Sequence, residues 1–379
     1  MNQWVKDSAR LIAATAPREL EALVGVSSPS GDVRGAEEAI AIAVALLPPD
    51  ARVERPPCSS PDHAPDLVAR LDGTGRPRIL LVGHVDTVVA HDAHEPLRRD
   101  GPVLVGSGSI DMKGGDVLAL GVLRALAARR GDFAEVALLL VADEEWRTAP
   151  FGHVERFVGF DACLCFEAGE RAPDGRDAVV AKRKAAGTIR VVATGRSAHS
   201  GSAPDDGANA LLALAAAAQA VAAQHAPDGP QHLTAVPTVV RAGDAFNVVP
   251  SVGELVCDVR ADDLAALDRV IDAVPAEVGG ATLTAENLRR WPGMDSREAL
   301  VPVLGHAEAL LGRPIAAGRR GGASDASHFA ASIPVTVDGL GPLGGLAHAP
   351  GEFVVEESLR ARAEVALAVA AATLASSRF

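Results

Sequence analysis

Apolar runs along this chain are repeatedly followed by acidic or imidazole side chains. The segments concerned are 79–86, 106–115, 138–145 and 161–167, which carry His84, Asp111, Glu144 and Glu167. A buried strand that ends in a charged residue brings that charge to one edge of a sheet, where open α/β sheets place their ligand sites. Carboxylates gathered there repel one another unless a cation lies among them. The pattern therefore predicts a metal-dependent hydrolase.

The length and charge of the chain narrow its class. A chain of 379 residues exceeds the size at which one hydrophobic core keeps growing, so we expect two domains. A formal net charge of −13 argues against nucleic acid or an anionic membrane as a partner. No apolar stretch reaches the roughly 18 residues of a transmembrane helix. Residues 1–26 show an amphipathic helical pattern rather than that of a signal peptide, which indicates a cytoplasmic protein.

The cysteines do not predict a disulfide framework. They are few and scattered, at Cys58, Cys163, Cys165 and Cys257. Cys163 and Cys165 alternate in a predicted strand and lack the usual two-residue spacer of a metal site. We expect them to pack in a buried apolar environment.

The order of elements changes in the middle of the chain. Helical and strand patterns alternate to about residue 180, as expected for an α/β sheet covered by helices. A β-α-β-β-α order follows, and an α/β pattern resumes near residue 293. We therefore predict a host domain, 1–182 and 293–379, that contains an inserted smaller α+β domain, 183–292.

The residues of the proposed metal cluster each have a simpler explanation when taken singly. His84 could be a core histidine, although Asp86 is placed to orient its ring. Asp111 could be a helix N-cap, with a helix beginning at Gly114. Two adjacent acids, Glu144 and Glu145, directly after an apolar run are costly without a partner. Together these positions favour a metal site.

The motifs resemble those of the M20 family of zinc metallopeptidases, over nearly the whole chain. Gly83-His84-Val85-Asp86 is similar to the family's first ligand motif, and the segment 106–115 to the one that supplies a bridging carboxylate. Asp143-Glu144-Glu145 resembles its acidic pair. Glu167 and His348 match the remaining ligands. The resemblance implies a zinc-peptidase-like α/β/α catalytic domain with an inserted lid and dimerisation domain.

The resemblance also implies specific roles. One zinc ion would be held by His84, Glu167 and Asp111, and the second by Asp111, Glu145 and His348. Glu144 would be the general base, with Asp86 as a further catalytic residue. Cobalt or manganese suit a mixed imidazole and carboxylate site as well, so the sequence does not distinguish them from zinc.

Further residues are assigned to the substrate by the same resemblance. His199 would reach the active site of a partner subunit and help to hold the oxyanion, which implies a homodimer. Asn247 matches a residue that family members use on the substrate. Arg260 is either structural or a carboxylate ligand. Arg319 or Arg320, with Arg319 slightly favoured, would bind the free carboxylate of the substrate.

One feature departs from the family pattern and several activities remain open. Trp146 and Arg147 follow the acidic pair where most relatives have a glycine, and could narrow the acyl pocket or add a recognition charge. The resemblance best fits a glutamate-type carboxypeptidase acting on a small peptide. The alternatives are an N-acyl-amino-acid deacylase, an aminopeptidase or dipeptidase, and a non-catalytic binding protein.

Overall fold

The computed structural model describes residues 1–376 and separates into two compact units. The first unit contains Met1–Lys182, Asp295–Arg320 and the chain from Ser324 onward. The second contains Arg183–Met294 together with Gly321–Ala323. The predicted insertion, 183–292, thus resembles the second unit in its bounds, but the short return of the chain at 321–323 was not predicted.

Helices occur in both units. In chain order the α-helices are α1 (Gln3–Val24), α2 (Val33–Ala45), α3 (Gly114–Ala127), α4 (Ala210–Ala222), α5 (Leu264–Asp272), α6 (Arg297–Leu311), α7 (Ala326–Phe329) and α8 (Glu356–Ser376). None of the helices within residues 1–376 has both the length and the apolar character needed to cross a membrane.

The strands form four sheets. In chain order they are β1 (Arg52–Glu54), β2 (Leu67–Asp72), β3 (Arg78–His84), β4 (Arg98–Asp100), β5 (Val103–Val105), β6 (Glu135–Val141), β7 (Ala162–Cys165), β8 (Glu170–Arg171), β9 (Asp177–Arg183), β10 (Ala185–Thr194), β11 (Thr234–Ala242), β12 (Val252–Ala261), β13 (Glu277–Val278), β14 (Ala281–Trp291), β15 (Met294–Asp295), β16 (Ile315–Arg320), β17 (Val335–Val337), β18 (Gly344–Gly345) and β19 (Phe353–Val355).

The central sheet of the first unit positions the candidate site. Its strand order is β1-β2-β6-β3-β7-β17, and β3 runs parallel to both β6 and β7. Every residue of β6 is buried, because helices including α1, α3 and α8 pack into the same hydrophobic core. The parallel strands therefore end at one edge of the sheet, where His84 closes β3 and the acids follow β6 and β7. This is the α/β architecture that the strand-end pattern predicts.

Two smaller sheets of the chain carry the other site segments. One has the order β18-β19-β5-β4, and it flanks the segments that lead to Asp111 and follow His348. The other has the order β15-β9-β16, with β8 paired to β9. Its strand β16 ends with Arg319 and Arg320.

The second unit is an antiparallel sheet with its own core. The strand order is β11-β12-β10-β14-β13, and α4 and α5 pack on it through alternate buried residues. The predicted β-α-β-β-α order is present, and two further strands that were not predicted, β13 and β14, follow it. β14 was missed because its inward positions include Asn287 and Arg289, which interrupt the apolar alternation.

The cysteines are free thiols, as the sequence predicts. Cys163 and Cys165 lie fully inside β7, and Cys257 is buried in β12. Cys58 is partly buried in the loop before β2.

Candidate metal centre

His84 ends β3 with its ring oriented toward two acids. Its Nδ1 lies 3.0 Å from the main-chain oxygen of Asp86, which can only accept, so Nδ1 carries the proton. Its Nε2 lies 3.2 Å from Asp111 Oδ1 and 3.8 Å from Glu167 Oε1. Burial alone would lower the pKa of His84, but Asp111 and Asp86 raise it well above its usual value. The Nε2 edge of the ring therefore faces Asp111 and Glu167.

The side chain of Asp86 acts mainly on the acidic loop. Its two carboxylate oxygens accept the backbone N–H groups of Glu144 and Glu145, each at 3.1 Å. One of them also lies 3.4 Å from Nδ1 of His84. We expected the carboxylate to orient the imidazole, whereas the shorter contact to the ring comes from the Asp86 backbone. Asp86 therefore connects the end of β3 to the turn that follows β6.

Asp111 lies between the two imidazoles. Its Oδ2 is 3.0 Å from Nε2 of His348, while Oδ1 faces His84. Burial would raise the pKa of Asp111, but hydrogen bonds from His348 and His84 lower it overall. The alternative in which Asp111 caps the following helix is wrong: the N-cap of α3 is Lys113, without a side-chain cap bond.

Glu352 holds the Asp111 loop and was not predicted. Its Oε1 accepts the N–H groups of Ile110 and Asp111 at 2.8 and 2.9 Å, and Oε2 accepts that of Gly108 at 2.7 Å. The side chain is 3% exposed, and burial raises its pKa although the three N–H groups oppose this. An acid directly before the apolar strand β19 was the signal in the sequence that could have revealed it.

Glu145 and His348 complete the cluster. His348 Nε2 lies 3.1 Å from Glu145 Oε1. Hydrogen bonds to Asp111 and Glu145 raise the pKa of His348 to about 10. The backbone of His348 has φ +63°, in the left-handed region that residues with a side chain rarely adopt. Strain of this kind commonly occurs at functional sites, where the surroundings determine the conformation.

The predicted ligands come together as two groups that share one carboxylate. His84, Asp111 and Glu167 form the first group, and Asp111, Glu145 and His348 the second; within each, the ligand atoms lie within 4.8 Å of one another. Imidazole nitrogens with carboxylate oxygens suit zinc and neighbouring divalent transition metals. Because the acids converge with the Nε2 atoms aimed at them, this donor set fits two divalent cations.

Glu144 lies beside these groups and belongs to neither. Burial raises the pKa of its carboxyl group well above the ordinary value, and the charges of Asp325 and Glu167 act in the same direction. His84 opposes the shift. A carboxylate with a raised pKa that is not required as a ligand is suited to accepting a proton.

The two candidate arginines of β16 have different surroundings. Arg320 donates from Nε to Glu170 at 2.9 Å and from Nη2 to the oxygen of Gly169 at 3.2 Å. Arg319 is exposed, and no partner for its guanidinium is found within residues 1–376. Of the two, Arg319 has the guanidinium that is available to a ligand.

The remaining predicted substrate residues lie in the second unit. His199 and Asn247 are both exposed and adjacent: the N–H of Ser200 donates to the oxygen of Asn247 at 3.1 Å. Arg260 donates to Asp258 at 3.0 and 3.3 Å and to the oxygen of Gly321 at 3.0 Å. Its guanidinium is therefore occupied by contacts within this unit.

Arg147 is not a solvent-facing recognition charge. The residue is 4% exposed, and its guanidinium is paired with Asp143 and Asp325. Its neighbour Trp146 is 65% exposed.

Comparisons with known proteins identify the family of the chain. Residues 80–372 match the model of peptidase family M20/M25/M40. Carboxypeptidase G2 of Pseudomonas sp. strain RS-16 is 28% identical over 255 residues, which cover 64% of this chain and 59% of that protein. The match thus spans about three fifths of that relative. The succinyl-diaminopimelate desuccinylase of Xanthobacter autotrophicus is 30% identical, over 73% of this chain and 78% of that protein.

Solved structures share the fold. The aminopeptidase PepT of Bacillus cereus superposes with a TM-score of 0.74 at 20% identity, covering 95% of this chain and 98% of that one. The M20 family metallo-carboxypeptidase Sso-CP2 of Sulfolobus solfataricus gives 0.72 at 14% identity, covering 95% and 99%. The predicted fold class and the predicted family are confirmed. The chain belongs to peptidase family M20/M25/M40 and is a hydrolase of that family.

Proposed function

We propose that this chain is a two-metal hydrolase that cleaves an amide bond next to a free carboxylate, most like a glutamate-type carboxypeptidase. The observation that carries the proposal is the pair of ligand groups that share Asp111, with Glu144 beside them. Zinc is the proposed metal, held by the two groups of three residues. When bound, such a pair of cations lowers the pKa of a water molecule and polarises the carbonyl that it attacks.

Glu144 is proposed as the general base. Its carboxylate would accept a proton from the attacking water and deliver it to the departing nitrogen. Asp86 supports this role, because it fixes the backbone of Glu144 and Glu145 at 3.1 Å. The base and the neighbouring ligand are thereby held on one rigid turn.

Arg319 is proposed to bind the free carboxylate of the substrate. An exposed guanidinium presents a planar fork that matches a carboxylate with two parallel hydrogen bonds. Arg320, which is paired with Glu170, would support the same strand. Arg260 is proposed as a structural residue, because Asp258 and Gly321 occupy its donors.

The second unit is proposed as a lid and dimerisation domain of a homodimer. His199 and Asn247 would act on substrate in the active site of the partner subunit. The edge strand β11 exposes Val236, Val239 and Val240, and such an edge offers unpaired backbone groups to a second copy. A cytoplasmic location stays a prediction from the sequence.

Replacement of Glu144 tests the mechanism. Glu144→Gln keeps the shape of the side chain but cannot accept the proton, so we expect kcat to fall by about 10²–10⁴-fold. Metal content, measured by atomic emission, should remain at two ions per chain. The exposed Glu155 provides a control, and Glu155→Gln should retain wild-type kcat. If Glu144→Gln keeps kcat within a few-fold of wild type, the base lies elsewhere.

The alternative is an N-acyl-amino-acid deacylase, and it is favoured by the desuccinylase relatives. Both reactions require the same metals, base and carboxylate clamp. Turnover of N-acyl glutamates, acetylornithine and dipeptides by the metal-loaded protein separates the two. A glutamate-type carboxypeptidase should give its highest kcat/KM with substrates that end in glutamate. A higher kcat/KM with acetylornithine supports the deacylase.

A further inference from the structure

Arg147 joins two acidic segments inside the first unit. Its Nε and Nη2 donate to Oδ1 of Asp143 at 3.1 and 2.9 Å. Its Nη1 and Nη2 donate to the two oxygens of Asp325 at 2.6 and 2.9 Å. The guanidinium also lies over the ring of Phe151, 4.6 Å from its centroid. One arginine therefore serves two buried carboxylates.

The pair of Asp143 and Arg147 closes the turn that carries the acidic residues. Glu144 and Glu145 lie between these two paired positions. The other oxygen of Asp143 accepts the N–H and hydroxyl of Ser60 at 2.9 and 2.7 Å, and the same hydroxyl accepts the N–H of Thr148 at 2.9 Å. Both ends of the turn are thus fixed, so the two glutamates have little freedom to move.

Asp325 brings a second segment into the same cluster. It directly precedes α7, on the segment that follows β16 and its arginines. Both Asp143 and Asp325 are buried, and two carboxylates without a cation between them would repel each other strongly. Lysine could supply the charge, but its single ammonium lacks the planar fork that reaches both carboxylates.

We propose that Arg147 is a positioning residue that sets Glu144 and Glu145 in place and, through Asp325, fixes the segment after β16 against the same turn. The part that concerns Glu144 rests on the proposed function. The part that concerns Glu145 rests only on its place among the grouped ligand atoms. Replacement of a group that orients a metal ligand typically costs about 10–100-fold in metal affinity or activity.

Arg147→Lys tests the proposal, with Arg124→Lys as a matched control. Arg124 is likewise paired with an acid, although its side chain is more exposed: it donates to Glu19 at 2.8 Å and to the oxygen of Leu46 at 3.0 Å, away from the ligand groups. Zinc affinity is measured by competition with a chromogenic chelator, together with Tm, kcat and KM. We expect Arg147→Lys to weaken one of two zinc sites about 10–100-fold. Its kcat should fall while KM stays within a few-fold, and Arg124→Lys should lower only Tm.

Wild-type zinc affinity in Arg147→Lys, or an equal loss in Arg124→Lys, would overturn the proposal. Asp325→Asn serves if Arg147→Lys does not fold, because it leaves the pair of Arg147 and Asp143 intact. It should weaken the same zinc site by a smaller factor, and unchanged affinity would contradict the link to Asp325. A wild-type protein that binds two zinc ions but hydrolyses no amide would refute the proposed function and leave the affinity test of Arg147 standing.

Discussion

At the scale of single residues, the candidate centre depends on side chains that do not bind metal. Asp86 holds the turn after β6, Glu352 the loop before α3, and Arg147 the base of the acidic turn. Asp86 and Glu352 accept hydrogen bonds from backbone N–H groups at or beside the candidate ligands. Arg147 donates to Asp143, an acid close to them in sequence. The positions of the candidate ligands are therefore set by neighbouring charged side chains, and the three named here are all buried.

Replacing Glu352 should weaken metal binding as much as replacing a residue that binds the metal directly. In Glu352→Gln one carboxylate oxygen is replaced by an NH₂ group. That group cannot accept a hydrogen bond from the backbone N–H groups that face it. We expect the free energy of unfolding to fall by about 1–3 kcal/mol and zinc affinity to fall about tenfold or more. Chelator competition and urea unfolding measure both quantities. Glu357→Gln, at an exposed position on α8, is the control. If Glu352→Gln has the same free energy of unfolding and the same zinc affinity as this control, the role proposed for Glu352 is contradicted.

Asp116 should give the metal-free protein an unusual pH dependence. Both of its buried oxygens lack a hydrogen-bond partner within residues 1–376, and burial raises its pKa from 3.8 to about 8. His84 and Lys113 oppose this shift, and Asp86 adds to it. Between pH 3.8 and about pH 8, Asp116 is ionised in the unfolded chain and protonated in the folded chain. The contribution of Asp116 to the free energy of unfolding therefore falls as the pH rises.

Asp116→Asn removes this titration at nearly constant shape. The gain in free energy of unfolding from the substitution should therefore be larger at pH 8 than at pH 5. Urea unfolding after chelation measures it, since bound cations near His84 would change the electrostatics. An equal gain at both pH values would show that Asp116 is ionised in the folded state.

At the scale of elements, the sequence predicted what depends on local patterns. β3, β6 and β7 are short apolar runs followed by charged residues, so their ends and their common edge were predictable. The acid before β19 was visible in the sequence, but the contacts of Glu352 were not predictable, because they are made with a loop more than two hundred residues earlier in the chain. β14 was missed since a strand with one solvated face tolerates Asn287 and Arg289 at partly buried positions.

The same distinction applies to charged side chains. The position of Arg147 after the acidic pair suggested a recognition charge, but its pairing with Asp325 joins residues 178 positions apart. Only the fold decides which acids surround a given arginine. Arg319 and Arg320 likewise alternate along β16, and their register determines that Arg320 meets Glu170. Sequence patterns thus predicted which residues gather at the edge of the sheet, and tertiary contacts determined which charged groups surround them.

At the scale of the whole molecule, the second unit has the means to fold as a separate body. Its buried residues form their own cluster, drawn from β10, β12, α4 and α5. The chain nevertheless leaves the first unit at Arg183 and returns at Asp295, with a further short segment at 321–323. An insertion of this kind can carry out a function distinct from catalysis, and the proposed one is dimerisation.

The homodimer is tested by placing a charge on the exposed edge of β11. Val240 is 57% exposed there, and Val53 is 43% exposed on β1, the edge strand of the first unit. A lysine on an edge strand disfavours pairing with another strand, because the ammonium would have to be desolvated. We expect sedimentation equilibrium to show a dimer for wild type and Val53→Lys, and a monomer at micromolar concentration for Val240→Lys.

If His199 completes the active site of the partner, Val240→Lys should also lose turnover while keeping two metal ions per chain. A dimeric Val240→Lys would place the contact on another surface, and a fully active monomer would contradict the role proposed for His199.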